Sequence, residues 1–473
     1  MTEHRDKTTS STELRKDTIG LLGAATLGMA FLSPAMTIYA VFGPLFLACG
    51  RAVPFSLMTA LLATLPTALS YAILSRDHPS SGSTADWATQ AAGHGAGAWV
   101  GWIVFLYYLT NNIVQVATGG LFFNELLLAL GIRLPAAVGF TAGALLISAW
   151  PAWMVYRGVA LSVKGALSSL LVEIATVSAL CATVLWLAPA RGIRINFEGF
   201  NPAFALKNST GFFGAMVFAM LSFTGFDVVS TLAEETRTAR KLIPRATFLA
   251  LILYSVFLIA GMWVLTFSRD ATQLTAAIAA GRTPINDVAA SVWGRWSILV
   301  TITALTAAMG LLIAGSVGAS RVLYAKARRG AAPAAFATLH PKFKVPWVAL
   351  HFIMAVGIVA SLILYIFAGA YGTYVWWATT TTFFAMLTYL FTNIAAIVLN
   401  RHRLVSMKGL LTYALLPACG ILFDLYILVQ SFFISLWQQS WMMGKSVVIF
   451  DVVCSALVLF VVLRKLRTQA AVE

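Results

Sequence analysis

Residues 218–248 read FAMLSFTGFDVVSTLAEETRTARKLIPRATF. The first half is apolar enough to enter a bilayer. Near its middle, however, Thr224-Gly225 weakens the helix, and Asp227 is a carboxylate that hydrocarbon does not tolerate without a partner. A break of this kind bares backbone dipoles at membrane depth, where irregular backbone survives only against protein or a water-filled cavity. The residues therefore predict a discontinuous helix lining a binding site within the membrane. The rival reading is a glycine kink in an ordinary span, since Gly is common in membrane helices.

The rest of the chain has the composition that such a helix needs. Of 473 residues, 60% are hydrophobic and only 10% charged, which excludes an ordinary soluble protein. Apolar runs of about 20 residues predict an all-α polytopic membrane protein with about 12 transmembrane helices. They lie at 19–48, 54–75, 97–130, 134–155, 162–188, 210–235, 246–267, 294–325, 345–368, 373–399, 409–434 and 446–465. The formal charge of +15 is a topology signal rather than a nucleic-acid footprint. With both termini on one side, 23 of the 32 Lys and Arg fall on that side, so the positive-inside rule puts both ends in the cytoplasm. The excess charge also favours contact with anionic membrane lipids. Cys49, Cys181, Cys419 and Cys454 all fall inside spans and read as small core residues, neither disulfides nor metal ligands. The polar N-terminal tail, residues 1–18, runs straight into a full-length span, so no cleavable signal peptide is expected.

Span 1 is interrupted as well. At Leu32-Ser33-Pro34-Ala35-Met36 the proline removes a donor and clashes with the preceding turn, while Ser33 can satisfy a freed carbonyl. Interrupted spans 1 and 6 lie five apart. They occupy matching positions if 19–188 and 210–399 are two five-helix repeats, with 409–465 adding helices 11 and 12 and 466–473 a short tail. An odd repeat length inverts the second copy, the geometry of inverted-repeat transporters.

Three groups of residues now carry a family resemblance. The first is Gly225-Phe226-Asp227, Ser230-Thr231, Glu234-Glu235-Thr236 and Ile243-Pro244-Arg245-Ala246. The second is Ser320-Arg321-Val322-Leu323-Tyr324-Ala325, Arg328-Arg329-Gly330, Pro333, His340-Pro341 and Pro346. The third is Ser70-Tyr71, Pro79, Ser81-Gly82-Ser83 and Gly101-Trp102. In this order they resemble the amino acid, polyamine and organocation (APC) superfamily over most of residues 20 to 350. The resemblance implies a five-plus-five inverted repeat with two extra helices, and secondary active transport of amino acids or related amines. Many relatives receive the substrate carboxylate on the amides of a Gly-rich break in helix 1. Here that role passes to Ser33, Ala35 and Met36, because Pro34 has no N–H. Where some polyamine-type relatives carry an acid in span 3, this chain has Tyr107, a departure that weakens a diamine reading.

The expected binding residues are therefore Ser33, Ala35 and Met36 in span 1, Tyr108, Asn111 and Asn112 in span 3, and Phe223, Thr224, Gly225, Phe226 and Asp227 in span 6. Tyr108, Asn112 and Gln115 share a helical face, and helix-to-helix hydrogen bonding is an equal rival to substrate contact there. Asp227 either caps the freed amides of its own helix or meets a substrate amine. Gly310, Gly315, Ser316, Gly318 and Ser320 read mostly as close packing, Trp376-Trp377 as an interfacial belt, and Asp424 as structural. Glu125 and Asp451 lie nearer span ends and need little explanation. On the cytoplasmic side Glu234, Glu235 and Arg237 form a charge cluster that is either solvated or a gate.

The expected activity is import of a small amino acid or related organic amine by alternating access, with no cofactor and no metal. A polyamine- or ethanolamine-type permease or exchanger is the alternative within the class. Enzyme motifs are absent, no pore loop suggests a channel, and a transporter-like sensor would need an appended signalling domain. For coupling, the resemblance aligns Glu173 with a Lys of proton-coupled relatives, whose ammonium lies near the sodium position of sodium-coupled ones. Glu173 is thus a proton carrier, with a permanently protonated structural Glu or a sodium-binding carboxylate as rivals.

Overall fold

The computed structural model describes residues 19–80, 82–233, 236, 238–279, 283–438 and 441–470, and within them the chain is helical nearly throughout. No strand occurs among the described residues; an isolated bridge joins Ile19 to Thr236. The first span is two helices, α1 (Leu21–Leu32) and α2 (Pro34–Cys49), hinged at Ser33. Ser33 has φ 40 and ψ 91, outside the helical region, and its hydroxyl accepts from the Met36 amide, capping α2 behind the proline at its first position. Pro34 thus ends one helix by clash and starts the next by its fixed φ.

Next come α3 (Val53–Asp77), α4 (Thr84–Ala129), which bends at Gly93, α5 (Ala136–Tyr156), α6 (Val159–Leu187) and the short α7 (Pro202–Leu206). The sixth span is also cut: α8 (Ser209–Leu221) stops, and a 3-10 helix, Phe226–Leu232, resumes beyond Gly225. Gly225 has φ 119, a conformation that L side chains rarely adopt, so the reversal between the two pieces depends on glycine. Further on lie α9 (Ala239–Phe267), α10 (Ala271–Ala279), α11 (Pro284–Trp293) and α12 (Ile298–Arg328). The last elements are α13 (Trp347–Leu399), α14 (Met407–Leu410), α15 (Leu416–Ile427) and α16 (Ser446–Ala470).

Among the described residues, nine helical stretches are long and apolar enough to cross a membrane. The larger expected number counts separately what the structure joins end to end. Leu21–Asp77 runs the first two expected spans together, Trp347–Leu399 joins two more through the bend at Gly369, and the piece Phe218–Leu232 is too short to count alone.

At the centre, α4 packs along α12 and α13, and α5 closes on α4. Small residues allow this approach. A Cβ at Gly143 of α5 would stand 2.8 Å from the Gly119 carbonyl oxygen of α4, and one at Gly315 of α12 would stand 2.9 Å from the Phe31 ring. The small residues of α12 accordingly serve packing. Asp424 accepts from Asn393 Nδ2 at 3.0 Å, tying α15 to α13 in the structural role expected of it.

Two expectations are corrected. Trp376 and Trp377 do not form an interfacial belt: they are 6% and 9% exposed, and both pack on Phe450 of α16, with Trp376 Nε1 donating to Ser446 Oγ at 3.0 Å. Their apolar area is covered by the C-terminal helix before lipid reaches it. Asp451 is not a span-end residue in water either. It is fully buried beside Thr380.

Gly143→Ala should lower the unfolding temperature in detergent, at a cost of about 1–3 kcal/mol, because the atom it meets is backbone and cannot give way. Gly357→Ala in α13, whose Cβ would find Val116 at an ordinary 3.4 Å, should be neutral or stabilising. Equal melting of both variants and the parent would remove the packing argument.

Candidate functional site

Two interrupted helices open the backbone inside the bundle, and a buried carboxylate lies at each break. At the first break Glu173, from the middle of α6, is fully buried. Its Oε2 accepts from Ser33 Oγ at 2.8 Å and from the Ala35 amide at 3.3 Å. It therefore sits at the amino end of α2, where the helix dipole favours negative charge. Its other oxygen, Oε1, has no hydrogen-bond partner among the described residues, and faces Gly310 of α12. Glu173 is thus enclosed by α1–α2, α6 and α12.

At the second break the partner is Asp227, and its donors are three tyrosines. Tyr107 and Tyr389 donate to Oδ1 at 3.1 and 2.7 Å, and Tyr108 donates to Oδ2 at 2.6 Å. Tyr389 Oη also accepts from the Gly225 amide at 2.9 Å. One hydroxyl of α13 thereby fixes both the glycine reversal and the carboxylate beyond it. Neither expected role of Asp227 describes these bonds, which tie it to α4 and α13. The cluster is walled by aromatic faces: Phe31 lies 5.6 Å from Tyr108, and Phe226 lies 5.3 Å from Tyr389, centre to centre.

A cavity of about 70 Å³ lies between the two breaks. Met36, Asn111 and Thr224 of the expected residues line it, together with Gln115, Ser222 and Tyr374. The other expected residues turn elsewhere. Ser33 and Ala35 face Glu173, Tyr108 and Asp227 bond each other, and Phe223 packs on Tyr254. Asn112 does not reach the cavity: its Nδ2 donates to the Tyr108 carbonyl and its Oδ1 accepts from Ser316 Oγ at 3.1 Å, so the helix-to-helix reading holds for it. The sequence reading passed over Tyr389 and Tyr374, which lie in an aromatic and threonine-rich span and carry no local signal.

The path has a direction. On the side of α11 a second cavity of about 140 Å³ adjoins the first, sharing Ala40 and Tyr374 with it. Glu125, read from sequence as needing little explanation, lines this vestibule and accepts from Thr283 and Asn286 at 3.4 and 3.1 Å. On the opposite face, expected to be cytoplasmic, the elements are stitched together. Ser83 bonds Ser230 at 2.6 Å, Thr84 bonds Thr392 at 2.7 Å, and Arg329 at the end of α12 forks onto Asp86 of α4. The proposed gate residues Glu234, Glu235 and Arg237 lie outside the described residues.

Comparison with known proteins fits this architecture. The family model described as amino acid permease matches residues 23–467. The low-affinity putrescine importer PlaP of Escherichia coli (strain K12) is 29% identical over 457 residues, covering 92% of each chain. The branched-chain amino acid permease BcaP of Bacillus subtilis (strain 168) is 26% identical over 354 residues, covering 73% of this chain and 74% of that one. The methylthioribose transporter of Bacillus subtilis (strain 168) is 28% identical over 316 residues, covering 63% and 64%. With the match running nearly end to end over broken helices and an apolar bundle, the chain belongs to the amino acid permease family of membrane transporters, and it is not an enzyme.

Proposed function

We propose that this permease imports a small amino acid or related organic amine across the plasma membrane by alternating access, both termini cytoplasmic, with a proton as the coupling ion. The observation that carries the reading is the cavity between two interrupted helices with a buried carboxylate, Glu173, bonded directly to the hinge of the first. The relatives named as a putrescine importer and a branched-chain amino acid permease support this substrate range.

The geometry suggests how proton and substrate are coupled. As a carboxylate, Glu173 holds Ser33 Oγ and the Ala35 amide, so the amino end of α2 is fixed electrostatically to α6. A proton on Glu173 removes that charge and weakens both bonds, which frees α1 to pivot at Ser33. The cavity lies on the other side of the same hinge, lined by Leu32 and Met36, so substrate and proton act on one pivot from opposite faces. Closure at Ser83–Ser230 opens as the 3-10 helix swings away from the start of α4, while Asp86–Arg329 ties α4 to α12.

Uptake into proteoliposomes under an imposed pH gradient and, separately, a sodium gradient tests the coupling. The pH gradient should drive accumulation, and Glu173→Gln should reduce it at least tenfold while substrate binding persists. Undiminished accumulation in the variant, or strict sodium dependence in the parent, would overturn the proton role.

Tyr389→Phe tests the second break independently. It takes a donor from Asp227 and the acceptor from the Gly225 amide, at about 1–3 kcal/mol for a buried group left unpartnered. Transport should fall at least fivefold and the unfolding temperature should drop; unchanged values for both would show that the hydroxyl holds neither group in the working protein.

A further inference from the structure

We propose that the path is built for a small organic amine that carries no carboxylate, and that it rejects the zwitterionic amino acid with the same side chain. The inference rests on the transport reading above and narrows its substrate class.

A substrate carboxylate needs donors, and the amides of the first hinge have none to spare. At the first break the Ser33 amide donates to the Met29 carbonyl at 2.8 Å, Ala35 to Glu173 at 3.3 Å, Met36 to Ser33 Oγ at 3.4 Å and Thr37 to the Ser33 carbonyl at 3.0 Å. Pro34 has no amide hydrogen. At the second break Ser222, Phe223 and Thr224 donate to carbonyls of α8 at 3.1, 3.0 and 3.2 Å, and Gly225 donates to Tyr389. At the first hinge an arriving carboxylate would have to displace one of these acceptors, and at Ala35 the acceptor is itself a carboxylate.

The fixed charges point the same way. The amino ends of α2 and of the 3-10 helix, the poles that attract anions, already hold the chain's own Glu173 and Asp227. The carboxyl ends of α1 and α8 attract cations, and their last residues, Leu32 and Leu221, both line the cavity. Among the described residues no Lys, Arg or His lines the cavity, whose polar side chains are all neutral. An ammonium suits such a wall at the carboxyl ends of two half-helices, whereas a carboxylate would lie there without a counter-charge.

The approach to the cavity repeats the pattern. In the vestibule Glu125 bonds only the neutral Thr283 and Asn286 among the described residues, with Tyr39, Phe122, Tyr371 and Tyr374 around it. Among the described residues, no Lys, Arg or His lines this vestibule. A carboxylate held by neutral donors beside aromatic faces is a capture site for a cation entering from that side.

Matched pairs that differ only in the α-carboxylate test the inference: ethanolamine against serine, isobutylamine against valine, and butane-1,4-diamine against ornithine. Each is measured for binding to the purified full chain and for uptake into proteoliposomes. In every pair of which either member binds, the amine should bind at least tenfold more tightly. A smaller preference, or preference for the amino acid, overturns the inference and leaves the transport reading standing. Binding of none of the six overturns both. A second arm uses Glu125→Gln with the amine that binds best. The variant should raise the KM of that amine at least fivefold at low salt and flatten its dependence on salt, while Glu125→Asp, which keeps the charge, should preserve the salt dependence. An unchanged KM and salt profile in Glu125→Gln would remove Glu125 from the path.

Discussion

A carboxylate in the middle of an apolar bundle must be met by donors, because an uncompensated buried charge costs several kcal/mol. This chain carries two such groups at its hinges, Glu173 and Asp227, and neither is met by an Arg or Lys. Glu173 uses a serine hydroxyl and one amide; Asp227 uses three phenols. Neutral donors meet the carboxyl oxygens without adding a cation, so each break keeps an acidic group beside the positive end of a half-helix. The helices that supply the donors are thereby committed in position. The phenols bring α4 and α13 to the second break, and Glu173 brings α6 to the first. The cavity is what remains between the two tied hinges.

Tyrosine is suited to this place because its ring packs as a hydrophobe while its hydroxyl reaches a polar partner. Tyr107 and Tyr108 are neighbours on α4 with ring centres 4.8 Å apart, and Tyr389 approaches from the opposite side. Tyr107 and Tyr108 also pack on Phe31, which lines the cavity, so the groups that bond Asp227 stand one ring away from the cavity.

The hinges were legible in the sequence because their causes are local. Pro34 breaks a helix wherever it falls, and Thr224-Gly225 next to Asp227 is a conflict visible within four residues. Glu173 was legible as a buried charge that needed explaining, and the structure bonds it to the hinge of the first span. What sequence could not supply was the partner of Asp227, since Tyr389 lies 162 positions away and nothing in its own span marks it. Asn112 stayed undecided between two roles for a related reason. Helical spacing groups it with Tyr108 and Gln115, but α12 covers that part of the face and takes its Oδ1 through Ser316. Glu125 looked like a span-end residue because distance along the helix does not reveal a vestibule folded over it by α10 and α11.

The two ends of the path are held by different kinds of force, and that difference bears on how little energy the cycle needs. On the vestibule side a cavity already separates α2 from α11, so opening there breaks few contacts. On the stitched face the ties are neutral hydroxyl pairs and one ion pair, and its Arg329 side chain is 53% exposed. Neutral hydrogen bonds exchange for water at about 0.5–1.5 kcal/mol each, and partly solvated ion pairs at about 0–1 kcal/mol. A closure made of such ties is worth only a few kcal/mol in total. A differential affinity of that size, supplied by a substrate in the cavity and a proton behind the hinge, is enough to invert the population of two states. Glu173 and Asp227, by contrast, sit at the hinges themselves, so a proton on Glu173 acts on the pivot directly and the outer ties need only exchange for water.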